Sequence, residues 1–388
     1  MTRVASEIPD GWRTSTVGET AEILDSRRVP LNSEDRRSRS GPYPYWGANG
    51  IVDYIDDYIF DEPLVLMAED GGYFDQAATR PICHRLDGPA WVNNHAHIIR
   101  PVGVDRDYFY YWFVHRDITP SIKGGTRAKL NQADLKRLPI WLPPLDEQRR
   151  IAEVLRSVDE AIAAAEAAAD MAENLLIRVR DEIISQPIWD TTTLSDATSA
   201  GLFTDGDWVE SKDQDPDGEV RLIQLADIGD GFFVDKSCRY LTMERARQLR
   251  CTFLQEGDLL IARMPDPLGR CCLFPAINQP SVTVVDVCVV RASQITSNRY
   301  LNHALATSEF RSQVLACASG TTRTRVSRGN LGQLELAMPP LAEQEAIADE
   351  LDQVSIVAGE QRQVAEQLNG LKHGLMSDLL SGHVRVPA

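Results

Sequence analysis

Two stretches of the chain share one hydrophobic rhythm. Apolar residues recur at Ile151, Leu155, Val158, Ile162, Ala165, Ala169, Ala172, Leu176, Val179 and Ile183, in alternating steps of four and three. That spacing keeps one stripe on one face of a helix and is the heptad pattern of a coiled coil. Ile347, Leu351, Val354, Ala358, Gln361, Ala365, Leu368, Lys372, Leu375 and Leu379 repeat the same steps, interrupted at Gln361 and Lys372. Pro143-Pro144 and Pro339-Pro340 precede the two stretches, where proline suits a helix entry. Asp146, Glu147, Glu343 and Glu345 follow at once and complement the positive helix N-terminus. Each predicted helix of about 40 residues spans about 60 Å. An apolar seam of that length needs a partner. Ile151, Leu155, Val158, Ile162, Leu176, Val179 and Ile183 are therefore expected to pair with Ile347, Leu351, Val354, Leu368, Leu375 and Leu379.

The two seams belong to an internal repeat. Shifting the chain by 196 residues lays 124–155 over 320–351 without a gap, with 13 of 32 positions identical. The matches include Gly124/Gly320, Thr126/Thr322, Arg127/Arg323, Pro143/Pro339, Glu147/Glu343, Gln148/Gln344 and Ile151/Ile347. The chain thus reads as two similar halves, each a globular part followed by a helical tail. The globular parts carry short apolar runs broken by Gly, Pro and Asn, such as PLVLMAEDGGYF, WVNNHAHIIRPVG, GDLLIARMPDPLGR and SVTVVDVCVV. Such runs predict strands, with short helices near 106–118 and 299–318. The expected fold is α+β: two strand-rich parts, 1–144 and 187–340, and two long antiparallel coiled-coil helices, 145–186 and 341–388, related by a pseudo-two-fold repeat.

Composition narrows the chemistry. The 388 residues carry a net charge of −17. Residues 145–186 and 341–388 hold −5 each, while 1–144 and 187–340 hold −3 and −4. The tails are acidic and the globular parts nearly balanced, so bulk electrostatics alone would not draw this chain onto DNA. Seven cysteines without C-x2-C spacing predict reduced thiols and no zinc site. No apolar run is long enough to span a membrane, and the first residues lack a secretory h-region, which predicts a cytoplasmic protein. There is no GxxxxGK[ST] loop, no helix-opening GxGxxG and no Asn-Pro-Pro-aromatic methyltransferase signature. No catalytic residue is expected.

The twice-repeated PPLxEQxxIAxxL and the closing GLMSDLLSGHVRV resemble the specificity (S) subunits of type I restriction–modification systems. YPYWGANGIVDYIDDYIF, AEDGGYF and WVNNHAHIIR resemble one kind of target-recognition domain in that family, and LIQLADIGDG and GDLLIARMPDPLGR another. The resemblance covers almost the whole chain. It implies two target-recognition domains that each read half of a bipartite double-stranded DNA site. It also implies helices that act as a spacer and as a docking surface for two modification (M) methyltransferase subunits, with restriction (R) subunits as further partners. S-adenosylmethionine would belong to the M subunit and ATP and Mg to the R subunit, leaving this chain without a cofactor and without catalysis.

Candidate DNA-contacting residues fall in three groups. Lys123, Thr126, Arg127 and Lys129, with Thr322, Arg323, Arg325 and Arg328 in the second half, form basic small-residue loops before each helix, suited to phosphate. Asn93, Asn94, His95 and His97 form a polar cluster between apolar runs, and alternation would place Asn93, His95 and His97 on one face; asparagine can read adenine. Tyr45, Trp46 and Asn49 in a turn, and Arg263, Asp266 and Arg270 in the second half, complete the set. Each group has a plain structural alternative: a solvated basic turn, satisfied polar side chains, or aromatic core. The rival functions are an acidic DNA mimic or anti-restriction scaffold without sequence-specific binding, a bare coiled-coil scaffold, and a nuclease.

Overall fold

The computed structural model describes residues 8–122, 128–265, 267–291, 293–320 and 324–386. The chain divides into two compact units, Met1–Ala165 with Val364–Ala388, and Glu166–Gln363. The division cuts through both long helices, Leu145–Ile184 and Leu341–Ser381. Each unit therefore holds one globular head and part of both helices, whereas the sequence reading set the helices apart as segments of their own.

In the first unit Leu64–Ala68 is buried at every position, because both of its faces are covered. It lies inside a four-stranded antiparallel sheet ordered Ala21–Ile23, Ala96–Pro101, Leu64–Ala68, Cys83–Leu86. A mixed sheet ordered Gly50–Ile55, Ser40–Gly47, Pro89–Val92, Phe60–Asp61 stands beside it. Arg13–Thr16 pairs with Pro139–Leu142, so the first and last strands of the head close together where the long helix begins. The second unit repeats the plan. Its four-stranded sheet runs Leu202–Asp205, Val287–Arg291, Leu259–Ala262, Cys271–Leu273, and Thr191–Thr193 pairs with Glu335–Ala337.

Each head presents a helix to the seam. Arg106–Phe113 buries Tyr108, Phe109, Tyr111, Trp112 and Phe113 in a core shared with Ile151, Leu155, Met376 and Leu379. In the second head the single helix expected over 299–318 is two, Asn298–Ala304 and Ser308–Ala316. The break comes at Thr307, whose Oγ1 accepts the Phe310 amide at 3.3 Å and caps the second helix.

A glutamine repeated in the two halves locks each head to its helix. Gln148 Oε1 accepts the Asp105 amide at 2.9 Å while its Nε2 donates to the Pro143 carbonyl at 2.8 Å. Gln344 does the same with the Ser297 amide at 2.9 Å and the Pro339 carbonyl at 2.8 Å. Asp105 and Ser297 are the N-caps of the two head helices. Three residues on, the Tyr108 hydroxyl donates to the Trp141 carbonyl at 2.7 Å, and the Tyr300 hydroxyl to the Ala337 carbonyl at 2.8 Å. This is why the repeated motif carries a glutamine at this position.

Every seam position named from the heptad is buried or half-buried, including Gln361 and Lys372. In the first unit Glu147 pairs with Arg385 at 2.6 Å and Asp159 with Lys372 at 2.7 Å, so the two helices there run antiparallel. Lys372 interrupts the apolar stripe because Asp159 waits for it, a carboxylate that also accepts the Tyr111 hydroxyl at 2.5 Å. In the second unit Ile183 and Ile184 pack with Ile347, Ala348 and Leu351, and Glu173 pairs with Arg362, again antiparallel.

One contact is inverted between the halves. Asp107, two residues after the first N-cap, faces Arg156 at 3.8 Å. At the same place in the second half Arg299 meets Asp352 at 2.6 Å, Asp349 at 2.7 Å and Glu345 at 3.3 Å.

Gln148→Leu and Gln344→Leu should each destabilise the chain by about 1–3 kcal/mol, because an amide and a carbonyl lose their partner. Urea denaturation followed by circular dichroism checks this; losses under about 0.5 kcal/mol would remove the glutamines from the account of how heads are held.

Candidate nucleic-acid interface

The end of the central strand organises the first head. Just past Ala68, the Glu69 carbonyl accepts the Leu130 amide at 2.8 Å and its amide donates to the His95 carbonyl at 2.8 Å. Asp70 bridges to Lys129, and Asn49 Nδ2 donates to the Gly71 carbonyl at 2.9 Å. Three separate stretches, around 49, 93–95 and 129–130, therefore meet on one turn. Gly71 takes φ +69, and a Cβ on Gly72 would come within 2.5 Å of the Ala68 Cβ, which explains the paired glycines.

The second head uses the same stitch. Past Ala262, the Arg263 carbonyl accepts the Val326 amide at 3.1 Å. Ser319 and Arg325 exchange two backbone hydrogen bonds, 2.9 and 2.8 Å, which close the second basic loop at its base. In both units the loop that carries the repeated Gly-x-Thr-Arg is thus tied to the end of the buried strand, on a firm base. Lys123, Thr126, Arg127, Asp266, Thr322 and Arg323 lie outside the described residues.

Among the other candidates, Lys129, Arg325 and Arg328 are on the surface beside these loops. Each is held by an acid: Lys129 by Glu69 at 3.0 Å, Arg325 by Asp286 at 3.1 Å, Arg328 by Asp205 at 3.2 Å. Asn49 and Asn94 are exposed, and Trp46 is half-buried with its ring against His84. Asn93 folds into the turn, its Oδ1 accepting the His95 amide at 2.8 Å, and His95 contacts Asp70.

Four candidates are internal. Tyr45 is core, its hydroxyl accepting the Leu31 amide at 3.0 Å. His97 does not share a face with Asn93 and His95, because the chain turns between the strands Pro89–Val92 and Ala96–Pro101. It is buried, with Nδ1 2.6 Å from an Asp25 oxygen and Nε2 2.7 Å from the Leu130 carbonyl. Arg263 is buried and pairs with Asp205 at 3.1 Å. Arg270 is spent on backbone carbonyls, those of Ile228 at 2.7 Å, Leu225 at 2.8 Å and Met264 at 3.0 Å among them. These residues shape the heads from within and do not present side chains to a duplex.

Asp25, Glu69 and His97 bring ligand-type atoms within 4.8 Å of one another. Arg28 at 2.6 Å and Lys129 neutralise Glu69, and the Ile98 amide at 3.0 Å binds Asp25, so the donor set is that of an ion-pair network. Burial opposes charge on Asp25, but His97, the Ile98 amide and Arg28 outweigh it and hold the carboxyl below its ordinary range. Burial likewise opposes charge on Glu69, and Arg28 and Lys129 overcome it. The sequence reading missed this network, since nothing local links residues so far apart. It also missed Trp208, 70% exposed between acidic neighbours in the second head.

A family described as the type I restriction modification DNA specificity domain matches residues 9–169 and 244–369. This chain belongs to that family. Among its relatives, a Haemophilus influenzae protein proposed to be a type I restriction enzyme specificity subunit is 26% identical over 86% of this chain and 85% of its own length. The MjaVIII specificity subunit of Methanocaldococcus jannaschii is 19% identical over 98% of this chain and 94% of its own. A crystal structure of the S subunit of a type I system from M. genitalium superposes with a TM-score of 0.62 at 12% identity, covering 97% of both chains, and so shares the fold. DNA sequence recognition is the role of the specificity family, and the acidic-mimic alternative finds no support. No helix among the described residues is long and apolar enough to cross a membrane.

Asp25 gives a pH test of how the interface is held. Its folded pKa is depressed, so its contribution is complete above the unfolded value of about 4 and is lost as pH falls further. Asp25→Asn should therefore lower stability near neutrality, and the gap from wild type should close below about pH 4. A gap independent of pH, in denaturation curves from pH 3 to 7, would show that the carboxylate's charge plays no part.

Proposed function

We propose that each head reads one half of a bipartite DNA site, and that the two long helices set the spacing and carry the modification subunits. The observation that supports this most directly is the duplicated stitch: in each unit a basic loop is anchored to the end of the buried strand, and a glutamine clamps the same head to the start of a long helix. A repeated reader of this kind suits two half-sites. Base contacts would come from the surfaces that differ between heads, and phosphate contacts from the loops that are alike.

The charge supports a division of labour. A net −17, with Lys129, Arg325 and Arg328 paired to acids, weakens the chain's own pull on phosphate. Basic partner subunits supply the rest. S-adenosylmethionine belongs to the modification subunit and ATP and Mg to a restriction subunit, while this chain contributes recognition without catalysis.

The purified chain should bind DNA weakly at physiological salt, and addition of the modification subunit should give tight, sequence-specific binding, measured by fluorescence anisotropy on specific and scrambled duplexes. Strong specific binding by the chain alone would overturn the division of labour. One extra heptad placed after Ala167 and another after Val364 should lengthen both helices by about 10 Å. The methylated motif, mapped by single-molecule sequencing, should then widen by about three base pairs at ~3.4 Å each. An unchanged motif would end the spacer reading.

A further inference from the structure

Among the described residues, one arginine in the second unit is buried without a counter-ion. Arg180, in the last turns of the central helix, is 8% exposed. Among the described residues its Nε has no hydrogen-bond partner, and the one bond it makes there is a long one, 3.4 Å from Nη1 to the Ala306 carbonyl. Among the described residues no carboxylate lies within ion-pair distance of it. The acids nearby are engaged elsewhere: Asp181 accepts the Ser308 amide at 2.9 Å, and Asp230 pairs with Arg311. Burial pulls the guanidinium below its ordinary range. An uncompensated buried cation is destabilising, and apolar residues of like volume are often as stable or more stable in such a place. Stability of the free chain therefore gives no reason for an arginine here.

Arg180 lines a cavity of about 290 Å³. The walls include Leu176, Ile177, Leu268 and Leu315, with Glu173 and Asp230 also at the lining. Leu315 is 65% exposed and Ile177 39%, so the surroundings are apolar and open to a partner. The cation asks for an anion. Glu173 and Asp230 repel a polyanion such as a phosphate backbone, and the cavity is narrow for a duplex. A single carboxylate on a side chain, flanked by aliphatic residues, meets every requirement.

We propose that this cavity is a docking socket for a glutamate or aspartate of the modification subunit, presented from an apolar helix face and bound by Arg180. The proposal rests on the reading that such a subunit binds this chain, and adds the place and the chemistry. It also accounts for an acidic chain having a buried positive site. One carboxylate on the partner would fix its orientation by a charge-assisted, desolvated bond.

The test uses the full chain and the modification subunit of its own gene cluster. Arg180→Leu and Arg180→Gln should leave the melting temperature of the isolated chain unchanged or raise it, and should weaken binding of the modification subunit at least tenfold by isothermal calorimetry. A clear fall in melting temperature with both variants would make Arg180 a structural residue and overturn the proposal. If wild type binds the subunit and both Arg180 variants bind equally well, the socket alone is refuted. If wild type does not bind it at all, the docking reading itself falls, and this proposal with it. Loss of DNA affinity by Arg180→Leu in the chain alone would reassign the cation to phosphate.

Discussion

The geometry of this chain depends on a glutamine side chain used twice. A reading head is useful only if its orientation on a rigid rod is fixed, and a flat apolar contact permits sliding. Gln148 and Gln344 remove that freedom, because an amide side chain can accept from the head helix and donate to the proline carbonyl at the rod's entry at once. One helical turn away, the tyrosines Tyr108 and Tyr300 tie the head helix to the strand that leads into each rod. Two directional bonds at separate places define a rotation as well as a position. The sheets, the closing strand pairs and the basic loops are then carried along as one body within each unit.

On that frame the heads solve a common problem in the same way. A loop that meets phosphate must come close to it and yet remain placed. The residues that follow each loop, Leu130 and Val326, bond to the residue just past a strand that is buried at every position, Leu64–Ala68 or Leu259–Ala262. The anchoring bonds are backbone bonds, so they place no demand on the loop sequence. Side chains beside the loops are free to differ, and they do: Glu69 in one head stands where Arg263 stands in the other. A scaffold that fixes the backbone and releases the side chains is what a family of readers with different targets requires.

Much of this was legible from the residues alone, and the reason is periodicity. The seam from Ile151 to Ile183 and its partner could be written down because a long helix forces one repeat on every residue it buries. The duplication followed from the same regularity. The individual contact residues were far less legible. Asn93, His95 and His97 look alike in sequence, yet the turn between two strands sends His97 inward to Asp25 while the others stay near the surface. Arg270 and Arg263 looked like free cations, but irregular strand ends expose carbonyls and acids that absorb them. Whether an arginine is spent inside or offered outside is decided by neighbours scores of residues away, and one sequence carries no trace of that. Arg180 shows the converse: an ordinary helical arginine in sequence, singled out only once the heads are folded around it.

The inverted pair has an evolutionary reading. Asp107 against Arg156, and Arg299 against Asp352, Asp349 and Glu345, are opposite answers to one question at one place in a duplicated plan. Suppose genetic exchange grafted the first head onto the second rod with the crossover at the double proline. Aspartate would then face three acids, and the reciprocal product would set arginine toward arginine. The two halves are keyed like left and right gloves, so a new combination of readers keeps these ion pairs only when each head travels together with the first turns of its own rod.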